Sequence, residues 1–265
     1  MTLVVKIGGA ALDNAALIER CARALAALAK AGHRVAVVHG GGPALTRTLK
    51  QLGKESEFVG GLRVTDAETR DAALMVLAGL VNKRLVAALA RAGQPAVGLT
   101  GGDALSFRAR KRAANGRDLG FVGEVCAADP RWLDAIWAGG AVPVIASLAL
   151  GLDFQYYNIN GDHMAAACAV ACRAQALVFL TDVPGVWNAE RAVIRRLSTA
   201  EIAALAANAV VNGGMLPKLE ACQRAVEAGV GRVWILPATQ ARLLPRTGPE
   251  ASGPRVRVGT EVVAA

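Results

Sequence analysis

Aromatic residues are scarce in this chain of 265 residues: four Trp, two Tyr and five Phe, 4% in all. The formal charge is +9, and its densest basic run is RARKRAANGR, Arg108 to Arg117. Positive charge by itself suits nucleic acid, but a single-strand platform needs aromatic faces for bases to stack on, and none interleaves with that run. A solvated loop or a docking surface for anionic ligands is expected instead, with no nucleic-acid partner.

Long apolar runs are also missing. No stretch of eighteen consecutive uncharged apolar residues occurs, and no basic-then-apolar leader precedes the first strand pattern, so no membrane span and a cytoplasmic protein are expected. The five cysteines, at positions 21, 126, 168, 172 and 222, form no tight pairing pattern. Their apolar settings fit reduced core thiols and argue against a disulfide framework. Cys168 and Cys172 share a helix face at i, i+4, but no second close pair completes a ligand set, so no dedicated metal site is expected. Apolar material, by contrast, is plentiful at 54%, enough for one large domain or two lobes.

Short apolar runs bounded by Gly or Pro alternate with alanine-rich helical stretches. The pattern predicts strand 3–7, a helix capped by Asp13 and running to about residue 31, strand 34–38, and a helix from about Pro43. Helical segments over 66–92, strand 95–99, an irregular hairpin-containing region over 101–126, a helix near 130–138 and strand 142–146 follow. Then come a helix at about 161–172, a buried strand at 176–180, helices near 199–208 and 215–228, strand 232–236 and a last strand near 255–263. This order predicts an α/β protein, a three-layer α/β/α sandwich with an open, mainly parallel central sheet and two lobes meeting near residue 174. Ligands of such sheets bind beyond the carboxyl ends of the strands, where each glycine-rich element of this chain falls.

Lys6 stands inside the first strand, in LVVKIGGAAL, with Gly8 and Gly9 directly after it. A buried ammonium needs an ion pair, a ligand or solvent; an edge strand with a snorkelling lysine is the plain alternative. His39-Gly40-Gly41-Gly42 follows the second strand, with Pro43 at a helix start. Consecutive N–H groups and a helix N-terminus can hold an anion, although such a turn also serves as a mere tight turn. It spells neither the GxxxxGK[ST] phosphate loop nor GxGxxG. GGLRVTD, Gly60 to Asp66, offers Arg63 as a rigid fork for a carboxylate or as a surface arginine. NINGDHMAA, Asn158 to Ala166, carries two asparagines and Asp162 into an apolar helix; capping accounts for one of them, and an inward Asp162 would need a cation. LTDVPGVW, Leu180 to Trp187, ends a strand at a Pro-Gly turn. In NGGMLPKLEA, Lys218 opposes the dipole of the helix it begins, which suits a bound anion.

In this order KIGG, HGGG, GLRVT, NING-D, LTDVPGV and GGM-x-x-K resemble the amino-acid kinase family, over nearly the whole chain from Leu3 to the closing VGTEV, Val258 to Val262. The spelling is most similar to the branch of arginine biosynthesis that acts on N-acetyl-L-glutamate. The resemblance implies phosphoryl transfer from MgATP to the γ-carboxylate of that substrate, giving the acyl phosphate N-acetylglutamyl 5-phosphate and ADP. A side-chain carboxylate with a pKa of about 4.3 is already ionised at neutral pH, so the reaction needs no general base.

The same resemblance implies the roles. Lys6 and Lys218 would neutralise the transferring phosphoryl group, with Asp162 between them as a structural anion. Gly8, Gly9, Gly41 and Gly42 would donate N–H groups to phosphoryl oxygens and the reacting carboxylate; Arg63 would clamp the α-carboxylate and Asn158 the amide end. Asp182, Val183, Pro184, Gly185, Val186 and Trp187, with Val210, Val211, Asn212 and Gly214, would hold the nucleotide, and Mg²⁺ would bind through phosphates and water. Residues 1–174 would form the lobe for the amino-acid substrate and dimerisation, and residues 175–265 the ATP lobe. Arginine-inhibited members carry an extra N-terminal helix that links dimers into a hexamer. Here only Met1 and Thr2 precede the first strand, which predicts a homodimer insensitive to arginine.

Two positions depart from the family's usual N-I-N-A-D: Gly161 replaces the alanine, and His163 follows where Thr or Gln is usual. Other readings are a kinase of aminoadipate or glutamate carried on an acidic protein, which the +9 charge would suit, a kinase of N-succinylglutamate, or a regulatory nucleotide- or amino-acid-binding protein of the same fold. The compact GLRVTD favours the acetylglutamate branch, and an intact Lys6, Asp162 and Lys218 favour catalysis.

Overall fold

In the computed structural model, which describes residues 1–114, 116–207, 211, 213–247 and 258–265, strands and helices alternate from the start. β1 (Thr2–Ile7) is buried along its whole length and leads through α1 (Gly9–Leu12) into α2 (Ala15–Lys30). β2 (Arg34–His39) and α3 (Gly42–Gln51) follow, then a small hairpin of β3 (Phe58–Val59) and β4 (Leu62–Arg63). One continuous helix comes next: α4 (Ala67–Ala73), a π-helical stretch Leu74–Val81, and α5 (Asn82–Arg91). After β5 (Ala96–Thr100) come the long hairpin β6 (Phe107–Ala114) and β7 (Arg117–Ala128), α6 (Arg131–Ala138), β8 (Val142–Ala146), β9 (Leu148–Gly151) and β10 (Tyr156–Ile159). The rest comprises α7 (Gly161–Ala171), β11 (Ala176–Thr181), β12 (Arg196–Ser198), α8 (Thr199–Ala207) and α9 (Met215–Glu227). β13 (Arg232–Pro237), a 3₁₀ segment at Ala238–Arg246 and β14 (Thr260–Val263) complete it.

The main sheet has eight strands in the order β12-β14-β13-β11-β1-β2-β8-β5. Every pairing is parallel except β13 with β14, so the open, mainly parallel sheet is as expected. Alternation along β1 sends Leu3, Val5 and Ile7 to the face covered by α2, α3 and α5, where Leu25, Leu45 and Leu89 pack. Val4 faces the other layer, with Met164 and Cys168 of α7 and Leu219 and Cys222 of α9. Lys6 shares the parity of Val4, so strand geometry alone aims it at α7 and α9.

Some boundaries differ from the sequence reading. The cap of α2 is Asn14, whose side chain accepts from the Leu17 N–H at 3.0 Å; Asp13 stands one residue too early and pairs with Arg47 at 2.7 Å. The region expected to be irregular is β6–β7, which closes with β9 and β10 into a four-stranded barrel. β9, β10 and β12 are too short to show a period in the sequence. The last strand runs over Thr260–Val263, and residues 255–257 of the expected span lie outside the described residues.

The basic run is not a free patch either. Arg110 pairs with Glu124 at 2.6 Å, Lys111 with Asp118 at 2.8 Å and Arg117 with Glu57 at 2.7 Å, and Arg108 donates to the Gly151 carbonyl at 2.8 Å. Among the described residues one helical run, Ala67–Arg91, is long and apolar enough to cross a membrane, but half of its apolar window is buried in the fold, with Leu77, Val81, Leu85 and Leu89 in the core. We therefore read it as a core helix.

Candidate active site

Two cavities of about 460 Å³ and 380 Å³ open side by side at the carboxyl ends of β1, β2 and β11, and Lys6, Gly9, Asp162 and Asp182 line both. At their common wall the Lys6 ammonium lies 2.9 Å from Asp162 Oδ1, and Lys218 Nζ lies 3.0 Å from each Asp162 oxygen. All three side chains are buried, so Lys6 is a true interior residue, satisfied by an ion pair and not by solvent. Burial alone would raise the Asp162 pKa, but the charges of Lys218 and Lys6 override it and hold the carboxyl well below the usual range. Burial lowers the Lys6 pKa, and Asp162 works against that. Asn160, not Asp162, caps α7: its side chain accepts from the N–H groups of Asp162 at 2.9 Å and His163 at 3.2 Å. Asp162 is thereby left free for the lysines.

The smaller cavity is built around Arg63. Its guanidinium, nearly buried, donates to the Gly42 carbonyl at 3.1 Å, to Thr46 Oγ1 at 2.6 Å and to Ser56 Oγ, and it stacks 4.6 Å from the centroid of the Phe58 ring. Among the described residues no carboxylate comes within ion-pair distance of Arg63, so a buried cation faces the cavity without a counter-ion of its own. Burial lowers its pKa accordingly. Asn158 lines the same cavity and donates to Thr65 Oγ1 at 3.3 Å.

The glycine turn between β2 and α3 is fixed from behind. The Asn82 amide nitrogen lies 3.0 Å from His39 Nε2 and 2.9 Å from the Val144 carbonyl, so it donates to both; the imidazole proton then sits on Nδ1 and is donated to the Gly40 carbonyl at 2.7 Å. Burial pushes the His39 pKa down to about 4, which keeps the ring neutral. Gly41 has φ +153°, and a Cβ there would lie 2.6 Å from Leu77 Cδ2, so a larger residue would be strained and would have to displace that methyl. Gly42 opens α3, whose first N–H groups have no intrahelical acceptor.

A model of the amino acid kinase family matches residues 1–237. The chain belongs to that family. It is 62% identical over 264 residues to the acetylglutamate kinase of Acidobacterium capsulatum, with all of both chains covered, and 55% identical to that of Koribacter versatilis, covering 100% of this chain and 99% of the other. Among solved structures, a Streptococcus mutans UA159 protein superposes with a TM-score of 0.82 at 27% identity, covering 100% of this chain and 99% of that one. The N-acetylglutamate synthase of Neisseria gonorrhoeae, complexed with coenzyme A and N-acetylglutamate, gives 0.84 at 26% identity; this chain is covered in full and spans 59% of that one.

In this amino acid kinase the remaining expected residues divide. Asp182, Val183, Gly185, Trp187, Val211 and Gly214 line the larger cavity, joined by Thr181 and Met215, which sequence reasoning did not single out. Pro184 is exposed and does not line it, and Val186 is fully buried with its N–H donated to Thr260 Oγ1 at 2.9 Å, so neither side chain faces the space. Val210 and Asn212 lie outside the described residues. Gly8 lines the cavity, but its N–H is donated to the Leu180 carbonyl at 2.8 Å, so it contributes room and not a donor. Gly9 is equally pressed for space: a Cβ there would meet Pro43 Cδ at 2.6 Å. His39, Phe58 and Ser147 are further residues the motifs did not assign to a role; His39 was legible as part of HGGG, the other two carried no signal. No group of three His, Cys, Asp or Glu residues converges among the described residues, and Asp162 is already committed to two lysines, a donor set that suits a divalent ion carried in on phosphates.

Proposed function

We propose that the protein transfers the γ-phosphoryl group of ATP to the γ-carboxylate of N-acetyl-L-glutamate, giving N-acetylglutamyl 5-phosphate and ADP in the second step of arginine biosynthesis. The observation that carries this reading is Lys6 and Asp162 at the wall shared by two cavities, with Lys218 reaching Asp162 from the larger one. An anionic carboxylate must approach an anionic phosphate, and two lysines at the meeting point supply the opposing charge. The whole-chain likeness to acetylglutamate kinases supports the choice of acceptor.

A γ-carboxylate oxygen attacks the γ-phosphorus, the bond to the β,γ-bridging oxygen breaks, and ADP leaves; no proton moves. Lys6 and Lys218 neutralise charge on the phosphoryl oxygens, most strongly in the transition state, while Asp162 keeps both ammonium groups at the junction. Gly9, Gly41 and Gly42 line the path and donate N–H groups. Arg63 takes the α-carboxylate as its missing counter-ion, and Asn158 orients the amide. Asp182, Val183, Gly185, Trp187, Val211 and Gly214 hold the nucleotide. Mg²⁺, bound through phosphates and water, further neutralises the triphosphate. Residues 1–174 carry the acceptor side and residues 175–265 the nucleotide side. The enzyme works as a cytoplasmic homodimer, for which Met75 and Leu80, apolar and exposed on the long helix, offer a face.

A carrier-bound acceptor is disfavoured because Arg110, Lys111 and Arg117, which would dock an acidic carrier, are paired with this chain's own carboxylates. The test is a hydroxamate or coupled ADP assay with N-acetylglutamate, N-succinylglutamate and free glutamate side by side. Turnover with the first alone is expected; turnover with none of them removes the reading.

A further inference from the structure

His163 follows the triad aspartate and has no part in the chemistry above, yet it is 6% exposed and ringed by charge. Its Nδ1 lies 2.9 Å from Arg112 Nη1 of β6, and its Nε2 lies 3.4 Å from Glu220 Oε2 of α9, too far out of line for a hydrogen bond. Arg112 Nη2 is 3.8 Å from the same Glu220 oxygen and closes a triangle. Three elements therefore meet at this ring: the barrel hairpin, the helix that carries Asp162, and the helix that carries Lys218.

We infer that His163 is a positioning residue, which fixes how α7 lies against α9 and thereby seats Lys218 on Asp162. Successive residues on a helix point about 100° apart, so Asp162 and His163 face different ways, as do Lys218 and Glu220. Lys218 on Asp162 ties α7 to α9 at one point, and Arg112, which donates to His163 and pairs with Glu220, links the two helices at a second. A single ion pair is a pivot; two points remove the rotation. The Arg112 contact anchors the arrangement to the barrel, which also supplies Asn158 from β10.

The geometry needs a neutral ring. Arg112 has only N–H groups to offer, so Nδ1 accepts and the proton sits on Nε2, near Glu220 but not bonded to it. A second proton on Nδ1 would set N–H against N–H. Burial and the charges of Arg112 and Arg224 push the His163 pKa down, against Glu220 and Asp162. On the β7 side Glu124 and Cys126 line the adjoining cleft, and Glu124 is committed to Arg110 at 2.6 Å.

This inference rests on the proposed phosphoryl transfer for its kinetic readout only. Gln can accept from Arg112 as the ring does; Leu cannot. His163→Leu is expected to lower kcat about tenfold or more with KM for N-acetylglutamate within about twofold, and His163→Gln to stay within about threefold of the native rate. The native enzyme should lose rate in acid as the imidazole protonates, a limb that His163→Gln should lack. Binding of the ATP analogue AMP-PNP, followed by calorimetry, requires no acceptor: His163→Leu should weaken it and His163→Gln should not. That contrast decides the inference even if the native protein turns over no acceptor. Equal AMP-PNP affinity in all three proteins overturns it, as do equal losses in the Gln and Leu variants, which would make His163 a volume filler. Should His163→Leu not fold, Glu220→Ala, at a half-exposed side chain, is expected to give about a threefold loss of AMP-PNP affinity, and no loss would equally overturn it.

Discussion

The two cavities are built by different means. The walls of the smaller one are tied by side chains: Arg63 to Thr46 and Gly42, Asn158 to Thr65, His39 to Asn82 and Gly40. The larger one is shaped by backbone turns, such as Gly185 at φ +153°, and by a Trp187 that is 44% exposed. A cross-bonded pocket rejects the wrong ligand because its buried polar groups would go unpaired; an open pocket shaped by backbone does not carry that penalty. Selectivity should therefore be concentrated on the acceptor side.

The largest effect is expected at the ion-paired lysines beside the wall that the two cavities share. Lys6→Ala and Lys218→Ala should each lower kcat by about 10³-fold while both KM values move far less, since the charge is needed most in the transition state. Steady-state kinetics decide this, and an unchanged kcat in either variant would remove that lysine from the chemistry. Next, Arg63→Ala should raise KM for N-acetylglutamate by about 10²-fold and leave KM for ATP within about twofold, whereas Trp187→Ala should raise only KM for ATP, by about threefold. Parallel shifts of both constants in Arg63→Ala would mean that the cavities do not act separately.

A third test uses the acceptor side's buried imidazole. His39 drops from 6.5 to about 4 on folding, so between those values the unfolded chain binds more protons and stability falls as the pH falls. The contribution is complete above about pH 6.5, and about 2 kcal/mol of it should be gone by pH 5. His39→Asn should flatten that part of the melting-temperature profile. The smallest effect is expected for Gly161→Ala: the new Cβ would lie 3.3 Å from Lys6 Cε, a flexible stem that can shift by a few tenths of an ångström. A loss of kcat below about threefold is expected, and a large one would show that the lysine's seat tolerates no adjustment.

Most of the main sheet was legible in the sequence because its strands are short apolar runs, as at Ala176–Thr181. The barrel was not, since β9 and β10 have four residues each and join it by pairing with β6 and β7, far back along the chain. Lys6, Arg63, Asp162 and Lys218 were legible because charge in apolar surroundings demands a reason. Whether an N–H such as that of Gly8 is still free, or whether the side chain of Val186 faces the nucleotide, depends on the register of neighbouring strands, which no local spelling encodes. The pairing of the basic run with Glu57, Asp118 and Glu124 was hidden for the same reason.

The position of β1 between β2 and β11 sets a timetable for biosynthesis. Its partners occupy residues 34–39 and 176–181, so one edge of β1 can be paired early and the other must wait until more than two-thirds of the chain has left the ribosome. Until then one edge of this strand is open to aggregation or to holding by chaperones, and Lys6 still lacks Lys218. Contacts this distant in sequence also slow the final collapse. The strand that carries Lys6 is thus secured on both sides only after β2 and β8, and before β11, β13 and β14.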